Sequence, residues 1–175
     1  MAVANSIAGA RGVIDGGQDA YINTTINGIG ERSGNADLIA VLLAATKSKE
    51  FSSKYELAGQ VDLSQAWKIA KFASYAFDVP IPINQPGVGA NAFAHESGIH
   101  ADGVLKDPEN YELYNYEELG RGDPDLVETG REICTGEYGG ISGFSHVMRK
   151  MEVKFQEREK ANEILELVRL SLIHI

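Results

Sequence analysis

Of the 175 residues, 43% are hydrophobic, enough for one ordinary core or two small ones. Twenty-five acids against 16 bases give a formal charge of −9, which excludes broad nucleic-acid or anionic-membrane binding and leaves room only for a local basic pocket. The single cysteine, Cys134, cannot close an intramolecular disulfide and reads as a small buried apolar residue, which suits the cytoplasm. No apolar run approaches the ~18 residues of a membrane span, and Met1 is followed by Ala-Val-Ala-Asn, without the basic start of a signal peptide.

Val3, Ile7, Ala10 and Ile14 form a helical stripe over residues 2–15, with Gly16-Gly17 as its stop. Ala20 to Ile26 is rich in strand formers, with Ile22, Thr24 and Ile26 on one face, and leads into a glycine-rich turn from Asn27 to Asn35. Leu38 to Ala45 is almost wholly apolar and predicts a helix packed on a sheet. Helix, strand, glycine turn, helix suits a parallel α/β layout, yet one strand cannot make a sheet. A domain boundary is expected near residues 50–60, dividing the chain into 1–52 and 53–175. Asp62-Leu-Ser-Gln65 is a capping-box variant ahead of a helix carrying Leu63, Trp67, Ala70, Ser74 and Phe77. Pro80, Pro82 and Pro86 enforce an extended stretch. Residues 87–122 are mixed, with two histidines and the group Tyr111, Tyr114 and Tyr116. Four glycines between Gly136 and Gly143 predict loop or sharp turn. A last helix starts near Gln156, with Ala161, Ile164, Leu165 and Val168 on one face.

Three constellations could do chemistry. The turn from Gly28 to Asn35 has the spacing G-x-G-x-x-x-G, one residue too long for a dinucleotide site, and Glu31 would repel a pyrophosphate. At the C-terminal end of a barrel strand, Glu31 could position a proton or water and Asn35 could ligate a hard cation. The alternative leaves Glu31 and Arg32 as a surface ion pair and Asn35 as a helix cap. His95-Glu-Ser-Gly-Ile-His100 separates its imidazoles by five residues with a glycine between, which rules out the shared helix face of a zinc protease. A loop histidine beside Asp102 suits general acid or base work, or a polar turn. The tyrosines are either packing or, in one case, a hydroxyl donor to a developing oxyanion.

Two of these stretches carry a resemblance. Thr25-Ile-Asn-Gly-Ile-Gly-Glu-Arg-Ser-Gly-Asn35 resembles the last barrel strand and loop of the isopropylmalate, homocitrate and citramalate synthases, within the DRE-TIM metallolyases. Gly89-Ala-Asn-Ala-Phe-Ala-His-Glu-Ser-Gly-Ile-His-Ala-Asp-Gly103 resembles their linker segment. The resemblance runs from Met1 to about Leu170. It implies an α/β fold: the last strand and final helices of a (β/α)8 TIM barrel over residues 1–52, then a mostly helical α+β linker region. By this resemblance the strand bearing the metal-ligand histidines would lie upstream of Ala2, and the chain would be a C-terminal fragment of the catalytic region.

Carried over residue by residue, the resemblance makes Glu31, His100 and Tyr111 catalytic and Asn35 metal-proximal. It implies a divalent metal (Mn, Mg or Zn) with most ligands outside this chain, acetyl-CoA as co-substrate, and 2-oxoisovalerate or 2-oxoglutarate as the 2-oxo acid. It also implies a homodimer in which the linker reaches the partner's barrel. One departure stands out: a G-K-H-S-G-R segment of the family is replaced here by Gly136-Glu-Tyr-Gly-Gly-Ile-Ser-Gly143. Two rival readings are pyruvate as the 2-oxo acid, as in citramalate synthase, and a non-catalytic dimerisation or interaction module.

Overall fold

The computed structural model describes residues 1–122 and 130–172, the side chain of Leu172 excepted. Its helices are α1 (Ala2–Asp15), α2 (Leu38–Lys47), α3 (Lys49–Ser52), α4 (Ala66–Phe77), α5 (Gly98–Lys106), α6 (Ile141–Lys150) and α7 (Arg158–Leu172), and its strands β1 (Ala94–His95) and β2 (Glu132–Ile133). The described residues are thus mostly helical, with two short parallel strands. None of their helices is long and apolar enough to cross a membrane. Two compact units are present, drawn differently from a division at residue 52: one holds Met1–Ala92 and the segment from Asn115, the other Phe93–Tyr114 and the chain from Gly130.

In the first unit α1 and α2 form as expected. α2 begins where the Asp37 carboxylate accepts a hydrogen bond from the Ala40 amide at 2.8 Å, and it buries Ile39, Ala40, Val41, Leu43 and Ala45. The expected strand Ala20–Ile26 does not form. Tyr21 and Ile22 are exposed, Thr25 makes a single parallel bridge to Asp37, and Ile26–Gly28 turns into a 3-10 helix. The reason is pairing: among the described residues the returning arm 36–38 offers the Ala36 carbonyl and the Leu38 amide to Thr25, and no backbone hydrogen bond reaches residues 20–24.

α4 also departs from expectation. The Asp62 carboxylate accepts from the Ser64 amide at 2.8 Å in a local turn, and the helix starts at Ala66 without a side-chain cap. It buries Ala66, Ala70 and Ala73, while Phe72, Tyr75 and Phe77 face outward. The small face is buried because Asn27 reaches the Ala70 carbonyl at 2.8 Å, an approach that bulky side chains would block. The segment from Asn115 returns onto this unit through an Asn115–Glu118 capping box, the fully buried Leu119 and a Lys47–Glu118 ion pair. Arg121 is buried and donates to the carbonyls of Gly87 and Gly89 at 3.0 and 2.9 Å.

In the second unit β1 and β2 pair in parallel, Ala94 with Glu132 and His95 with Ile133. Ala101 and Val104 of α5 pack on Ile133, with Val147 of α6 beside them. Two helices the sequence did not announce, α5 and α6, contain or begin beside the glycines taken as loop signals. Those glycines serve close approach: a Cβ on Gly98 would meet the Gly140 Cα at 2.8 Å, and one on Gly140 would meet the Gly98 Cα at 2.5 Å. The loop expected over 136–143 therefore ends at Gly140, and Gly143 is buried inside α6. α7 buries Ala161 and Leu165 of its expected stripe, whereas Ile164 is partly exposed. Cys134 is half-buried rather than buried; burial, then Glu132 and Glu96, push its thiol up and keep it protonated at neutral pH.

Gly140→Ala should therefore lower stability by about 1–3 kcal/mol in urea unfolding, since backbone would have to move. Gly59→Ala, with nothing within 4 Å of the new methyl, should change it little. Equal effects at the two positions would contradict the packing described.

Candidate active-site segments

Glu31 and Asn35 belong to the first unit. Their loop is locked by the Asn35 amide on the Gly28 carbonyl at 2.9 Å and the Gly34 amide on the Glu31 carbonyl at 3.0 Å. Gly34, at φ +84°, admits no side chain, because a Cβ would sit 2.4 Å from the Gly28 carbonyl oxygen. Arg32 and Asn27 both take φ 56°. On this fixed backbone Glu31, Arg32 and Asn35 are all exposed. Neither bland alternative holds: Glu31 and Arg32 make no ion pair with each other, and Asp37, not Asn35, caps α2. A carboxylate, a guanidinium and an amide are thus held out with no hydrogen-bond partner among the described residues.

His100 and Tyr111 belong to the second unit. His100 lies in the first turn of α5, not in a loop, and Asp102 does not orient it. Residues two apart on a helix face opposite ways, and the Asp102 carboxylate is engaged by Lys106 and by the Ser142 hydroxyl at 2.8 Å, which together hold it below the usual carboxylate range. What His100 meets instead is Tyr111. The two rings stack at 4.2 Å between centroids with 21° between planes, and His95 makes a T-shaped contact with the tyrosine ring at 5.5 Å and 74°. The Tyr111 hydroxyl and the His100 ring nitrogens have no hydrogen-bond partner among the described residues, and Tyr111 is 53% exposed.

Behind this stack lies a group that motif reading missed. Glu112 accepts from His95 Nε2 at 2.9 Å, from Arg131 Nε at 2.8 Å and, on its second oxygen, from the Arg131 terminal nitrogen at 2.7 Å. The side chains of His95 and Glu112 are only 5% and 7% exposed. Burial pushes the Glu112 carboxyl up, but hydrogen bonds from Arg131 and His95 outweigh it and leave the group below the usual range. The three residues come from three separate segments, so no local spacing links them. The only sequence signal is that Glu112 follows Tyr111.

The other tyrosines are packing. Tyr114 meets Phe93 edge-on at 5.8 Å, and Tyr116 lies against Gly122. The divergent segment 136–143 lines an open groove of about 1140 Å³ between α5, α6 and α7, with Ser97, Asp102, Tyr138, Arg149 and Arg158 on its walls. No group of three or more His, Cys, Asp or Glu side chains among the described residues could hold a metal ion. Asn35 offers one neutral oxygen, so the residues present do not by themselves fit a divalent cation.

Residues 1–73 match the HMGL-like family, and residues 88–171 match the homocitrate synthase post-HMGL domain-like family. The chain is 72% identical over 170 residues to the citrate (Re)-synthase of Dehalococcoides mccartyi, covering 97% of this chain and 41% of that protein. It is 46% identical over 123 residues to the 2-isopropylmalate synthase of Acetivibrio thermocellus, covering 70% of this chain and 22% of the relative. With the 2-isopropylmalate synthase of Pyrococcus furiosus it shares 36% over 159 residues, 91% of this chain and 29% of the relative. The chain thus spans less than half the length of these relatives. With an HMGL-like segment followed directly by the post-HMGL segment, in the order its two motifs predict, the chain belongs to the HMGL-like/homocitrate synthase family.

Proposed function

We propose that the chain forms the end of the barrel and the linker of an acyltransferase that condenses acetyl-CoA with a 2-oxo acid, and that the acid is oxaloacetate. The reading rests on the stacked His100–Tyr111 pair, held with its polar atoms unspent in the segment that resembles the family's linker. In such a condensation a base removes a proton from the acetyl methyl, and the enolate carbon attacks the ketone. The resulting alkoxide takes up a proton, and water then releases the thiol. His100 and Tyr111 are suited to moving those protons, and Glu31 to positioning the water or the methyl. We infer, as the family resemblance implies, that the partner subunit's barrel receives this linker, that a divalent metal takes at most one ligand, Asn35, from this chain, and that the enzyme works in the cytoplasm.

The choice of acid follows from the 72% identity to a protein named for citrate, against 36–46% to two named for 2-isopropylmalate. Citrate differs from oxaloacetate by the two carbons an acetyl unit adds. This supports a different 2-oxo acid over 2-oxoisovalerate or 2-oxoglutarate, and it favours oxaloacetate over pyruvate. The match of residues 1–73 to the HMGL-like family favours a catalytic chain over a dimerisation module.

In an enzyme of full family length carrying this chain, thiol release from acetyl-CoA should be fastest with oxaloacetate and yield citrate. Preference for pyruvate, 2-oxoisovalerate or 2-oxoglutarate would reverse the assignment. His100→Ala and Tyr111→Phe should each lower kcat by about 10²–10⁴-fold with little change in KM, as expected for proton transfer in the transition state. Near-normal kcat in both variants would remove the pair from the chemistry. The 175-residue chain titrated with Mn²⁺ or Mg²⁺ in a calorimeter should show no saturable site, because one amide oxygen is too few ligands. Saturable binding abolished by Asn35→Ala would disprove this.

A further inference from the structure

Tyr111 and Glu112 are neighbours with opposite surroundings. Tyr111 keeps its ring half in solvent, whereas the Glu112 carboxylate is buried and fully engaged. The chain reaches them through a short 3-10 turn, Pro108–Asn110, whose backbone bonds are local: the amides of Tyr111 and Glu112 both donate to the Pro108 carbonyl, at 3.1 and 2.9 Å. Its entry is tied to α5 by the Asp107 amide on the Gly103 carbonyl at 2.9 Å. An exposed bond from Asn110 to the Gly103 carbonyl at 3.3 Å is a weak tether, so the buried bonds at Glu112 are the stronger hold on the far end of the turn. Arg131 grips both carboxylate oxygens, and His95 takes one of them while its ring makes a T-shaped contact with Tyr111. One imidazole thus holds the carboxylate and contacts the tyrosine ring on which His100 stacks.

We propose that Glu112, gripped by Arg131 and His95, is the positioning residue that fixes Tyr111 on His100. The role rests on the reading that those two residues act in the condensation. It requires a carboxylate rather than a residue of the same size. In Glu112→Gln one oxygen becomes an amide nitrogen whose hydrogens point at the Arg131 donors, so volume survives and the two-pronged pair does not.

Two readouts test it. In the 175-residue chain, the His100 ring protons over the Tyr111 face carry an upfield ring-current displacement in NMR. It should persist in Tyr111→Phe, which keeps the ring, and largely vanish in Glu112→Gln while helical circular dichroism is retained. In the full-length enzyme, Glu112→Gln should lower kcat by about 10–100-fold, the cost of displacing a reacting group by about 1 Å, with KM for the 2-oxo acid nearly unchanged. Added to Tyr111→Phe it should cost nothing more, since it acts through Tyr111. Arg131→Lys keeps the charge but not the fork, should give an intermediate loss in both readouts, and decides the matter if Glu112→Gln does not fold. A retained ring-current displacement, or a kcat loss fully additive with Tyr111→Phe, would overturn the positioning role. Normal kcat in Glu112→Gln beside a crippled Tyr111→Phe overturns it alone, whereas normal kcat in Tyr111→Phe overturns the catalytic reading beneath it.

Discussion

A carboxylate as buried as that of Glu112 stays ionised only if its surroundings replace the water it has lost. Arg131 supplies two parallel donors and His95 a third, and the balance favours the charged form despite desolvation. Such a cluster adds little net stability compared with apolar packing, but breaking it by removing one partner typically costs about 3–5 kcal/mol. Its use is geometric. β1, β2 and the turn before Glu112 contribute one residue each to it or lie directly beside them, so the cluster sets the register of short elements that have few other constraints. A two-residue strand pair cannot define its own alignment, and the charge cluster at its edge can.

The same unit brings α5 and α6 together by the opposite means, through removal of side chains. Gly98 and Gly140 touch backbone to backbone, which fixes the start of α5, and with it His100, against the start of α6. A close glycine contact and a buried ion cluster thus converge on one pair of rings. In the first unit the backbone does the corresponding work. The Thr25 amide and carbonyl are both taken by residues 36–38, and the glycines between them permit the tight return that leaves Glu31, Arg32 and Asn35 outside.

How much of this was legible follows the range of each signal. α1 and α2 could be read because apolar stripes and a stop or cap are local. The strand at 20–26 was misread because β propensity reports a willingness to pair, and pairing depends on backbone elsewhere. α4 was placed correctly, with Ala70 of its stripe buried and Trp67 and Ser74 half-buried, but Phe77 stands outside and Ala66 and Ala73 take the buried places beside Ala70, where Asn27 approaches the backbone. α5 and α6 were missed because Gly98, Gly140 and Gly143 were taken as breaks, while their role is contact. Among the candidate site residues, Glu31, Asn35, His100 and Tyr111 lie in or near recognisable motifs. Glu112 and Arg131 do not, because 19 residues separate them and the bond that joins them exists only once β2 has paired.

The polar residues divide accordingly into those already satisfied within the protein and those held ready. Glu112, Arg121 and Asp102 spend their hydrogen-bonding capacity on neighbours and hold the fold in shape. Among the described residues the side chains of Glu31, Arg32, Asn35, His100 and Tyr111 make no hydrogen bond, although the loop backbone at 28–35 is held by its own bonds and His100 and Tyr111 stack on each other. A mobile exposed side chain would lose entropy on meeting a substrate, and a buried satisfied one would first have to break its own bonds. Groups that are both fixed and unsatisfied incur neither cost, and the stacked His100 and Tyr111 come nearest to that condition. Position alone does not separate His95 from His100, five residues apart in one motif. The partner of each does: His95 has given its nitrogen to Glu112, and His100 has given its nitrogens to nothing.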